Sequence, residues 1–341
     1  MRSIDRVRNV IVGKPVDHLP AQPMVMMFAS KYAGIPFIDY TKDGRLMAEA
    51  QLRTVEDFGL DCLLTCSDPA RELIDIAGEG SVEWFSDQGP AINESRAALT
   101  NKSLLKTFKI PDPNGGGRMH DRIKGIEIMY EHVLGEISIV GWIEGPLALA
   151  AELRGINNIM LDMLNDTLFV EDLLDFCTEV AICYASPQIE AGADTIGMSD
   201  AAASMMGPKF YERFLYPRQK RVLTAIKEKH PETITRLHMC GNTDVLIPKM
   251  RELPVDIYEL DFPADLSNAR AILGSDKLIS GNVSTVYDLL KYTPERVYES
   301  ARRCHQACGK MHIVNSGCEV SPLTPPDNLK ALIRYAKENK P

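Results

Sequence analysis

The sequence predicts a (β/α)8 barrel, and three observations carry that expectation. Eight short apolar, β-branched runs recur along the chain, most of them ending at a polar residue. Amphipathic stretches with apolar residues at three- and four-residue intervals lie between them. The 341 residues, 45% apolar and 25% charged, have globular composition and are enough for one α/β barrel. Alternating strands and helices imply parallel strands joined by crossovers, and eight such units imply closure. A doubly wound open sheet is the alternative.

The elements follow in order. The opening MRSIDRVRNVIVGKPVDHLP has its apolar residues interrupted by Asp5, Arg6, Arg8 and Lys14, so it does not read as a signal peptide. Gln22–Met27 and Cys62–Thr65 are the first two strands. Residues 78–121 are too long and too rich in Gly and Pro for one helix; they read as a rim insertion between the second and third strands, with room for a hairpin. Within it, no strand leads into Gly115-Gly116-Gly117 and no G-K-[ST] follows, so this is a loop tip rather than a phosphate loop. The remaining strands are Ile137–Ile143, Asp194–Met198, Thr233–Leu237, Val255–Leu260, Lys277–Ser280 and Met311–Asn315. Helical spacing is clearest at Pro217–Lys229, Asn242–Glu252 and Pro294–Cys308. Residues 1–341 thus read as a single barrel domain.

Charge and composition exclude several function classes. With 38 Lys and Arg against 47 Asp and Glu, the net charge is −9, and no basic run offers a footprint for nucleic acid or an anionic membrane. Apolar runs such as Ile137–Ile143 fall far short of the ~20 residues that span a bilayer. Eight cysteines without an export signal read as reduced thiols in a cytoplasmic enzyme.

In a barrel, the C-terminal ends of the strands carry the chemistry. Here those ends hold Cys66 and Asp68, Glu144, Asp200, His238 and Cys240, Asp261, Asn282, and Cys318 with Glu319. The strongest local signal is His238-Met239-Cys240, since alternate residues of an extended segment share a face, with Gly241 permitting a sharp turn. Ser316-Gly317-Cys318-Glu319 ends the eighth strand, and closure can bring it to the same mouth. His238, Cys240 and Cys318 would then form an open three-donor site of the kind zinc uses in catalysis. The alternative is two unrelated buried cysteines and a hydrogen-bonded core histidine. Cys304 and Cys308, four apart on an outer helix near His305 and His312, read as packing residues. Asp261, one strand from His238, is a further metal-ligand candidate. Glu144 and Asp200 are candidate catalytic acids, and the small residues Ala201 to Ala203 leave space beside Asp200. Asn282 is a candidate cofactor contact.

Taken together, HMCGNT, the GNVST at Gly281–Thr285 and SGCEVSPLTPPDNLKAL resemble the uroporphyrinogen decarboxylase superfamily, as does the opening RVRNVIVGKPVDHLP. Within it the likeness is greatest to corrinoid-dependent methyltransferases such as those that methylate coenzyme M. The resemblance implies a (β/α)8 barrel, and zinc held by an H-x-C pair and a distant Cys, at the positions of His238, Cys240 and Cys318. It implies a methyl group moved between a corrinoid protein and a zinc-activated thiol, or, in reverse, demethylation of a methylated or methoxylated substrate. The chain lacks the D-x-H-x-x-G motif of corrinoid-binding domains, so the corrinoid is expected on a separate partner docking over the mouth, where the rim insertion lies. Decarboxylases of the superfamily carry an M-R-Q-A-G-R signature after the first strand; this chain has MVMMFASKYAG there, and an octacarboxylate substrate would find no arginine to steady it. A barrel serving only to bind a corrinoid protein would have no use for an open zinc site.

Overall fold

The computed structural model describes residues 1–341. Its strands are β1 (Cys62–Leu64), β2 (Val82–Glu83), β3 (Ala91–Ile92), β4 (Ser138–Glu144), β5 (Thr195–Ser199), β6 (Ile234–Met239), β7 (Ile257–Leu260), β8 (Leu278–Ser280) and β9 (His312–Ile313). Seven of them form one parallel sheet in the order β1-β4-β5-β6-β7-β8-β9, while β2 and β3 pair as a separate antiparallel hairpin.

Closure of the ring excludes the open-sheet alternative. The eighth stave is the segment at Ala21, which bridges Val314 in parallel on one side. On its other side, the Ala21 carbonyl accepts the Asp61 N–H at 2.8 Å. This stave is shorter than the expected Gln22–Met27 strand. Pro20 and Pro23 flank it without N–H groups to donate, so its ladder cannot lengthen. The chain then turns into the helix Met27–Ala33. Asn242–Glu252 is also reduced, to a helix of four residues at Ile247–Met250, whereas Pro294–Cys308 is helical throughout.

The insertion carries the expected hairpin, β2 and β3, with 3₁₀ turns at Glu94–Arg96 and Lys102–Thr107. The glycine tip leads into the helix Arg118–Val133. Asp75 already occupies that helix's N-terminus, its two oxygens each accepting at 2.8 Å from the Arg118 and Met119 N–H groups. A phosphate would meet a carboxylate there.

Side-chain alternation sorts the barrel into layers. Leu237 and Met239 of β6 face outward into the main apolar core shared with the helices. Ile234, Arg236 and His238 face inward. At the bottom, Ile234, Ile257, Leu278 and Ile313 meet Ile4, Val7 and Val10 of the N-terminal helix Ser3–Ile11, which plugs that end. In the middle, Arg236 donates to Glu259 Oε2 at 2.8 Å, and both are buried. Asn315 donates to Glu259 and, at 2.8 Å, to Ser280. With one end plugged and the middle filled, the chemistry is left to the upper layer.

Candidate metal centre

Three donor side chains meet at the C-terminal mouth. His238 Nε2 lies 3.3 Å from Cys240 Sγ and 3.8 Å from Cys318 Sγ, and the two sulfurs are 3.6 Å apart and unbonded. No other group of three or more His, Cys, Asp or Glu side chains gathers donor atoms this closely. Contact with the Cys240 sulfur and burial push the Cys318 thiol well above its usual pKa.

Each donor is held by identifiable neighbours. Gly241, at φ +81°, turns the chain after Cys240, and its N–H donates to Asp261 Oδ2 at 2.7 Å. A side chain at Gly317 would strike the Phe262 backbone and Asp261, so glycine is required beside Cys318. Ser316 Oγ accepts the Met24 N–H at 3.1 Å, and Glu319 accepts the Met26 and Met27 N–H groups at 3.0 and 2.8 Å. Cys318 is thereby tied to the segment Met24–Met27 that follows the Ala21 stave. The second ring nitrogen of His238 has no hydrogen-bond partner; the Glu259 carboxylate stands 3.5 Å from it. Glu259 was missed in the sequence reading. Its signal is an acid inside the apolar run VDIYELD, in direct register with His238.

Two expected site residues prove to be braces. Asp261 is not gathered with the three donors, because its oxygens accept the Gly241 and Phe262 N–H groups, each at 2.7 Å. Asp200 is fully buried. Its Oδ1 caps the helix Pro146–Arg154 by accepting from Leu147 and Ala148 at 2.9 and 3.1 Å, and its Oδ2 accepts from Gln219 at 2.7 Å. Both Asp200 oxygens are thus engaged by the protein's own donors, and the side chain is not gathered with His238, Cys240 and Cys318. Asp200→Ala should cost roughly 2–3 kcal/mol of stability, from the lost cap and the stranded Gln219, while leaving the metal-binding capacity intact. Denaturant titration and metal analysis of the variant check both halves; a lost metal site would return Asp200 to the mouth.

Asn282 is likewise occupied, its amide donating to the Asp261 and Ala264 carbonyls at 3.0 and 2.9 Å. Cys304 faces the Asn282 amide oxygen at 3.7 Å, Cys308 is buried, and His305 and His312 bond to Tyr335 and the Gly281 carbonyl, in keeping with packing roles.

Glu144 does reach the mouth. It ends β4 and is in register with Ser199, which is in register with His238. Two strand spacings, about 10 Å, thus separate it from the histidine. Burial outweighs its 3.0 Å ion pair with Arg71 and raises its carboxyl pKa to about 8.

The uroporphyrinogen decarboxylase (URO-D) model matches residues 2–339. The chain belongs to the uroporphyrinogen decarboxylase family. Among its relatives, the methylcobamide:CoM methyltransferase MtaA of Methanosarcina barkeri is 28% identical over 345 residues, covering 98% of this chain and 97% of that protein. The methylcobamide:CoM methyltransferase MtbA of Methanosarcina mazei is 32% identical over 255 residues, covering 74% and 72%. A solved methyltransferase structure from Methanosarcina mazei superposes with a TM-score of 0.89 over 99% of both chains at 23% identity, which establishes this family member's fold. No helix is long and apolar enough to cross a membrane.

Proposed function

We propose that the chain is a zinc-dependent methyltransferase that moves a methyl group between a separate corrinoid protein and a small thiol. The observation that carries this reading is the donor triangle. A tetrahedral zinc with Zn–S of ~2.3 Å and Zn–N of ~2.05 Å has S···S edges of about 3.8 Å and S···N edges of about 3.6 Å. The S···S separation of 3.6 Å and the S···N separations of 3.3 and 3.8 Å lie within about 0.3 Å of those edges. Three protein donors leave one tetrahedral position for a substrate.

A zinc ion bound there would supply one chemistry, the retention of a thiol as its thiolate at neutral pH. The protein's own residues do the rest. The two cysteine thiolates offset a divalent charge and the neutral imidazole adds none, so this donor set preserves the nucleophilicity of an incoming sulfur. Glu259 stands behind the histidine ring, held by Arg236 and Asn315, and biases it to present Nε2 to the mouth. Asp261 fixes the turn after Cys240, while Ser316 and Glu319 fix the loop of Cys318. The methylcobamide specified in the relatives' names supports the corrinoid as the other methyl carrier.

A decarboxylase of the parent chemistry is the weaker reading. The buried guanidinium groups of the barrel are paired, Arg71 with Glu144 and Glu72 and Arg236 with Glu259, and do not meet the carboxylates of a porphyrinogen. Zinc-loaded protein should bleach the spectrum of free methylcobalamin when a thiol is added, and should release no CO₂ from uroporphyrinogen. Decarboxylation without thiol methylation would reverse the choice.

A further inference from the structure

The eight cysteines are all unbonded, and their settings differ. Cys62, Cys66, Cys177 and Cys308 are buried. The Cys183 sulfur stands 4.0 Å from the Pro111 carbonyl, and the Cys304 sulfur faces the Asn282 amide oxygen. Cys240 and Cys318 are set apart from these: both are half-buried at the barrel mouth, and their sulfurs touch at 3.6 Å.

We propose that Cys240 and Cys318 are also a redox switch: a peroxide joins them in a disulfide that ejects the metal ion, and a dithiol reductant reopens the site. The inference rests on the metal centre of the proposed function, and not on which thiol that centre serves.

Three observations converge on it. First, the pair is close enough to bond. A disulfide has an S–S distance of ~2.05 Å, so the sulfurs need approach each other by only about 1.5 Å. Neither cysteine lies in a regular strand, since β6 ends at Met239 and β9 at Ile313. Their side chains can therefore turn toward each other without breaking the parallel ladder. Second, the partner thiol is already in place. Peroxide oxidises one sulfur to a sulfenic acid; its O–O bond breaks, and the second oxygen leaves as water. The other sulfur then attacks the sulfenic sulfur, the S–O bond breaks, and a second water leaves. The peroxide gains the two electrons that the two cysteines lose. Cys304 and Cys308 offer no such partner, because Cys304 faces Asn282 and Cys308 is buried. Third, the contacts that hold the two loops do not use sulfur. Asp261 holds the Gly241 N–H, and Glu319 holds the Met26 and Met27 N–H groups. These bonds outlast oxidation, so reduction returns the sulfurs to the same corners. In the oxidised form His238 is the one member of the triangle still able to donate, and a single imidazole does not retain a divalent ion.

The zinc-loaded chain is treated with hydrogen peroxide while a metal-sensitive dye reports released zinc and mass spectrometry reports the protein. Zinc release and the loss of two hydrogens should proceed one for one, and peptide mapping should find Cys240 joined to Cys318. Dithiothreitol followed by zinc should restore the metal content. Cys304→Ala should behave as the parent does, whereas Cys318→Ser should stop at a sulfenic acid on Cys240, captured by dimedone. The metal-free parent supplies a second measurement that needs no cysteine variant: it should form the same disulfide, and should take up zinc only after reduction. A different cysteine pair, sulfinic acid at Cys240 or Cys318 in place of a disulfide, or a disulfide that leaves zinc bound overturns the proposal. A fully reduced chain that takes up no zinc overturns the metal reading instead, and with it the ejection step, while the mapped peptides still decide the pairing.

Discussion

On the proposed zinc reading, Cys240→Ala and Cys318→Ala should each strip the chain of zinc, whereas Cys304→Ala should keep about one ion per chain. The three donor atoms lie within 4.8 Å of one another, so each sulfur is one corner of a single site. Losing a corner leaves two donors and a net positive centre, and the expected fall in affinity exceeds the ~10–100-fold that outer partners of a metal site produce. Glu259→Gln belongs to that lesser class, because it alters only the group behind the His238 ring. Cys304 contacts the Asn282 amide and is no part of the triangle. Elemental analysis after dialysis against a mild chelator orders the four variants. Full zinc retention in Cys240→Ala or Cys318→Ala would remove the basis for the zinc site.

The second large effect is on stability. Arg236→Leu should cost about 3–5 kcal/mol, the range for removing one partner of a buried ion pair. Arg236 and Glu259 are 2% and 1% exposed and share two hydrogen bonds inside the barrel. The loss comes less from the missing attraction than from a carboxylate left in a dry interior with Asn315 as its remaining donor. A double variant, Arg236→Leu with Glu259→Met, should recover much of the stability, because neither charge is then stranded. It should also weaken metal binding, since the group behind His238 is gone. By contrast, Lys330→Ala breaks an exposed pair with Asp327 and should change stability by less than ~1 kcal/mol. Urea denaturation of the four proteins measures these differences. A loss below ~1 kcal/mol for Arg236→Leu would show that the interior is wetter than its burial indicates.

Part of the site was legible because its signals are short-range. The H-x-C pair needs only strand alternation to share a face, and Gly241 and Gly317 mark the turns that follow the two cysteine positions' strands. The packing role of Cys304 and Cys308 was legible for the same reason, since it follows from their place on one helix. The acids were harder. Asp200 and Asp261 sit at strand ends beside small or rigid neighbours, as functional acids do, but the same position suits a carboxylate that caps the next helix or pins a turn. Which it does depends on where N–H groups from other segments point, and the sequence does not display that. Glu259 illustrates the converse. It is embedded in a strand, and only the packing of β6 on β7 brings it behind the His238 ring.

By itself, the sequence determined the alternation of eight apolar runs with amphipathic helices, and hence the barrel, its hairpin-bearing insertion and the identity of the three soft donors. Those features rest on periodicity and residue chemistry, which are local. Tertiary structure alone decided that Ala21 closes the ring between β1 and β9, and that Cys318 arrives within 3.6 Å of Cys240. It also decided that Asp200 and Asp261 are consumed by donors from other segments, backbone N–H groups and the Gln219 amide. The physical reason is that a carboxylate's role is set by the count of donors reaching it, and those donors come from segments far away in the chain.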